Sequence, residues 1–115
     1  LLHMFYPERT AGAACKAAVA SHAHEKIKLY LNLLDQVASP SPGFLPQDHA
    51  SILGYYIAML MRWLGSFGAD HPLQTHAADY PALFKILTML ERQHATQAIA
   101  DDEGLGPTPF TAPLA

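Results

Sequence analysis

Ser51 to Trp63 reads SILGYYIAMLMRW: a serine, an uncharged run from Ile52 to Met61, then an Arg–Trp pair. Ser51 suits an N-cap, because its hydroxyl can accept from an orphan N–H of the first turn. The apolar residues that follow cover every side of a 3.6-residue helix rather than one stripe, and such a helix must be surrounded by protein or lipid. A bilayer span needs about 20 apolar residues, so this run is too short to cross. It predicts a central buried helix in a small helical domain.

Outside that run the pattern is amphipathic. Leu1 to Tyr6 is apolar and Pro7 stops or bends it. Thr10 is placed to cap a second helix running to about Ala38, with Val19, Ile27, Tyr30, Leu31, Leu34 and Val37 on one face. Lys16, Glu25, Lys26, Lys28 and Asp35 fall mostly off that face and are expected in solvent. Ser39-Pro40-Ser41-Pro42-Gly43 breaks the pattern, and Phe44-Leu45-Pro46 leads into the central helix, which should end near Gly65 or Gly68. Pro81 fits the first position of a further helix, with Leu83, Phe84, Ile86, Leu87 and Leu90 as its buried side. A short helix from Ala95 to Asp102 follows, Gly104 suits a left-handed C-terminal position, and the Pro-rich tail reads as an extended strap or a frayed end. No stretch alternates with period two. The expectation is an all-α bundle of four to five helices forming a single domain over residues 1–115.

Composition narrows the function classes. Half of the 115 residues are hydrophobic, which is globular rather than disordered. A formal charge of −3 gives no electrostatic footprint for nucleic acid or for an anionic membrane. The single cysteine, Cys15, allows no internal disulfide and is compatible with a cytoplasmic location. The chain starts at Leu1, and its first residues read like the interior of an apolar helix. That predicts a larger protein with a further N-terminal part.

The order of these signals resembles the helical domain of bacterial glutathione transferases, close to the beta class. Ser51 to Trp63 is similar to the sixth helix of that family, with its Ser or Thr cap, apolar run and Leu–Arg–Trp ending. Leu2-His3 followed by Phe and Pro resembles the end of the fourth helix, and Phe44-Leu45-Pro46 the lead-in to the sixth. Tyr80-Pro81-Ala82-Leu83 resembles the start of the seventh, and Glu103-Gly104-Leu105 the end of the eighth. Two positions depart from the pattern. Gly54 stands where the family's capping box has Asp, and Gln93-His94 replaces an Arg-Pro pair. Losing half of the box and placing a glycine in a helix should each cost about 1 kcal/mol. Burial of Tyr55, Tyr56, Ile57 and Leu60, at roughly 1.5–3 kcal/mol each, is expected to outweigh that.

The resemblance implies the C-terminal domain of a two-domain, homodimeric enzyme. A thioredoxin-like N-terminal domain, with no counterpart in this chain, would bind glutathione as co-substrate and carry the thiol-activating residue. The helical domain would hold a small apolar electrophile and half of the dimer interface, and alone would not be a catalyst. The alternative is a non-enzymatic relative that uses the same scaffold as a binding or regulatory module.

Four residues are candidates for the substrate-binding wall. His3 matches a histidine near the glutathione sulfur; the plainer reading is an exposed helix-end histidine. Tyr6 is placed to line the same pocket and is equally readable as packing; Trp63 matches a pocket-facing tryptophan of the family and Met59 suits an adaptable lining, but for both of these core packing is the plainer reading. Arg62 pairs with a carboxylate of the other domain or forms a surface ion pair. His22 and His24 point about 200° apart on a helix and cannot share one ion, so no metal is expected. Cys15 reads as a small packing residue.

Overall fold

The computed structural model describes residues 1–114, and the described residues form helices and turns with no strand. The described residues form six α-helices where four to five were expected: α1 (Leu2–Phe5), α2 (Glu8–Ala11), α3 (Lys16–Ala38), α4 (Ile52–Leu64), α5 (Pro81–Glu91) and α6 (His94–Asp102). Four are long elements, as the periodicity requires; α1 and α2 are four-residue turns on either side of Pro7. No helix among the described residues is long and apolar enough to cross a membrane. The chain packs as two units, Leu1–Leu33 and the residues from Leu34 onward, with α3 running through the boundary.

In the first unit, Thr10 does not cap a long helix. It lies inside α2, where its amide donates to Pro7 O at 3.2 Å. Gly12, at φ 79°, then breaks the helix in a conformation that costs a residue without Cβ little. A 3₁₀ turn over Ala13–Cys15 restarts the chain into α3.

The buried stripe of α3 is Ala20, His24, Leu31 and Ala38, with Ile27 and Leu34 half-buried. Most of the expected face holds, with Leu31 buried and Val19, Ile27 and Leu34 half-buried, but Tyr30 and Val37 are exposed, together with Leu29 and Leu33. Alanine and histidine, silent in a count of large apolar residues, take inward positions beside them.

His24 is buried, and its Nδ1 has no hydrogen-bond partner. Burial lowers its pKa from the usual 6.5, with Lys28 acting in the same direction and Glu25 opposing. A depressed histidine favours the neutral form in the fold, so the unfolded chain takes up the proton first. Stability should therefore be unaffected above about pH 7 and fall as the pH drops below the ordinary histidine value toward about pH 5. Thermal melts across that range test this, and a His24→Leu variant should show a flatter acid dependence than the parent chain.

In the second unit, Gln47 closes the end of α3. Its Nε2 donates to Ala38 O at 2.9 Å and Ser39 O at 3.2 Å, two carbonyls left over at a helix terminus. Leu45 anchors the same loop with no exposed surface. Asp35 is not solvated as expected: its Oδ1 accepts from Leu83 N at 2.9 Å, capping the first turn of α5 from another helix. Pro81 occupies the first turn of α5, as its sequence position predicts, and Gly104 follows α6 at φ 64°.

The expectation of a helix buried on all sides is overturned for α4. Ser51 does cap it, accepting from Gly54 N at 3.0 Å, but only Gly54, Ile57, Ala58, Met61 and Leu64 are buried. Tyr55 and Leu60 are half-buried and Tyr56 is exposed, so burial offsets less than expected. Gly54 itself serves packing. A β-carbon there would stand 3.0 Å from Ser51 Oγ, tight against the cap, and in ordinary contact with Leu90 and Ile86 at 3.5 and 3.7 Å. Phe84, expected inside α5, is exposed.

Candidate functional site

The outward side of α4 carries four apolar residues in one stripe. Ile52 is 92% exposed, Tyr56 63%, Met59 44% and Trp63 51%. Their spacings of four, three and four residues put them on one side of the helix. Two of the anticipated site residues, Met59 and Trp63, thus sit one turn apart on an open apolar surface. The helix end beneath them is well fixed. Gly65 N returns to Met61 O at 2.9 Å, Ser66 Oγ donates to Trp63 O at 2.7 Å, and Gln74 Nε2 donates to Gly65 O at 2.8 Å.

His3 and Tyr6 belong to the first unit. His3 is exposed on α1, and Tyr6 lies just past the helix end at φ −131°. The Tyr6 ring is engaged by a cation, with the Arg9 guanidinium 4.4 Å from its centroid. No group of three or more His, Cys, Asp or Glu side chains among the described residues is placed to hold a metal ion.

In the second unit, a polar arrangement that the periodicity alone did not predict lies on the inner side. Glu91, at the end of α5, is 9% exposed, and its Oε1 accepts from Phe110 N at 2.8 Å, Thr111 N at 2.6 Å and Thr111 Oγ1 at 3.0 Å. Thr111 Oγ1 also lies 3.0 Å from Oε2. The tail is therefore a docked strap rather than a frayed end, with Pro109 and Phe110 buried. Arg62 Nη1 donates to Pro109 O at 3.1 Å, so its guanidinium helps hold the tail, and among the described residues it forms no ion pair. Phe110 meets Tyr55 edge to face at 6.5 Å, and Tyr55 Oη is 2.8 Å from Thr96 Oγ1, tying α4 to α6. A cleft of about 220 Å³ lies beside the strap, lined by Glu91, Thr96, Asp101 and Pro109 among others.

A sequence signal for Glu91 did exist. Leu83, Leu87 and Leu90 mark the buried phase of α5, and position 91 falls in that phase four residues after Leu87. A lone carboxylate there must find donors.

No protein-family model, no curated protein and no solved structure matches this chain.

Removing the carboxylate leaves two tail amides without their acceptor. Glu91→Ala should destabilise the protein by about 3 kcal/mol, from charge-assisted bonds and orphaned buried donors. Glu91→Gln, which keeps the shape and one acceptor, should cost clearly less. Urea unfolding of both variants checks the order and the size.

Proposed function

We propose that this chain is the helical C-terminal domain of a glutathione-transferase-like protein, and that the open stripe on α4 is its apolar substrate wall. The observation that carries the reading is the exposure of Met59 and Trp63 together with Ile52 and Tyr56 on a helix whose other side is already packed. Contiguous exposed apolar surface calls for a partner or a ligand. In this reading a thioredoxin-like domain supplies glutathione as its thiolate, and the α4 stripe holds a small apolar electrophile beside it. Attack by sulfur on the electrophilic carbon, with loss of its leaving group, then gains from proximity. By the resemblance alone, His3 would stand near the glutathione sulfur and Tyr6 in a pocket lining. The exposed Leu29, Tyr30, Leu33 and Val37 on α3 support a contact with a second copy in a homodimer. The domain alone is not the catalyst, and the setting is cytoplasmic and bacterial.

Arg62 favours a second reading. One of its five N–H donors, on Nη1, goes to the Pro109 carbonyl, so part of the guanidinium serves the chain's own tail. A non-enzymatic relative would keep the apolar stripe as a binding surface for a protein partner.

Glutathione conjugation to a chlorodinitrobenzene electrophile, measured on the intact protein that carries this chain, separates the two. The enzyme reading expects turnover, a KM for the electrophile raised roughly threefold to tenfold in Trp63→Ala, and a reduced kcat in His3→Ala. Absence of turnover in the intact protein selects the binding module. Full activity in His3→Ala removes the role given to that histidine.

A further inference from the structure

The outer side of α5 carries a second surface, separate in its residues from the α4 stripe. A cleft of about 420 Å³ is lined by Gln47, Phe84, Lys85, Thr88, Met89 and Arg92. That volume is in the range of small-molecule sites. Its walls are of two kinds. Phe84 and Met89 give an apolar floor, Phe84 with 37% of its surface open and Met89 half-buried. Lys85 and Arg92 bring two positive charges, and among the described residues neither is paired with a carboxylate.

The spacing sets the kind of ligand. Seven residues of helix separate the Cα atoms of Lys85 and Arg92 by about 10 Å, with Thr88 and Met89 between them. Both side chains are long and flexible enough to reach one anion from opposite ends of the floor, and the Arg fork binds a carboxylate through two parallel bonds. The Thr88 hydroxyl, on the same wall, is buried with no hydrogen-bond partner. Gln47 is already fixed by its bonds to the end of α3, so that wall is preorganised. Methionine adapts to apolar bodies of varied shape.

We propose that this cleft binds a small anionic amphiphile, its carboxylate held by Arg92 and Lys85 and its apolar body laid over Phe84 and Met89. The assignment is independent of the glutathione-transferase reading. Neither cation alone nor floor alone should suffice, and that conjunction is what makes it testable.

The experiment is a titration of the chain with octanoate, octanol and acetate, followed by backbone amide shifts. Octanoate should saturate, with the largest shifts at Gln47 and Phe84 through Arg92. Acetate and octanol should each bind at least about tenfold more weakly. Lys85→Gln and Arg92→Gln should each weaken octanoate roughly threefold to tenfold without changing the amide spectrum elsewhere. Both residues are exposed, so the variants should fold normally. Equal binding of octanol overturns the proposal, as do unchanged affinities in both variants. Shifts centred on residues 52–63 would overturn it as well, because the amphiphile would then be using the α4 stripe.

Discussion

The second unit depends on one buried carboxylate. Glu91 is buried at the end of α5, where two tail amides and the Thr111 hydroxyl satisfy it. A buried charge without such donors is costly, so the tail cannot leave without exposing or orphaning it. The docked tail then brings Phe110 against Tyr55 and Pro109 O to Arg62, fixing the strap to α4, while Tyr55 reaches Thr96 on α6. Three helices and the chain end are thus joined through one polar centre.

That arrangement accounts for the character of α4. Its inner residues Gly54, Ile57, Ala58, Met61 and Leu64 are buried, with Gly54 facing Leu90 and Ile86 of α5. With the inner side filled and the tail in place, the outer stripe of Ile52, Tyr56, Met59 and Trp63 is left open. An all-apolar run can therefore mean two apolar faces with two different uses, one for the fold and one for a partner. The functional reading rests on that distinction, since a helix wholly enclosed by its own domain would have nothing to offer a substrate.

Elements set by short-range chemistry were legible in the sequence. Ser51 bonds an amide three residues on, Pro81 needs no donor in its first turn, and Gly104 takes a left-handed conformation close to α6; each is a local event. Polar groups whose partners lie far along the chain were not. Asp35 reads as a solvent residue until Leu83, 48 positions later, is brought to it. The same holds for Arg62 and Pro109, 47 positions apart. Part of the inward face of α3 was not legible, because Ala20, His24 and Ala38 share it with Leu31, and small or polar residues weigh little in a hydrophobic pattern. Of the candidate site, the pairing of Met59 with Trp63 follows from their four-residue spacing, whereas their exposure is a tertiary outcome that no local pattern encodes.

Native-state hydrogen exchange at the amides of Phe110 and Thr111 tests the central claim most directly. If Glu91 holds the tail, both amides are protected to a degree comparable with Leu87 and Leu90 in the core of α5. Exchange of these two amides at the rate of an exposed loop, with α5 still protected, would mean that the carboxylate does not secure the tail and that the second unit is held together some other way.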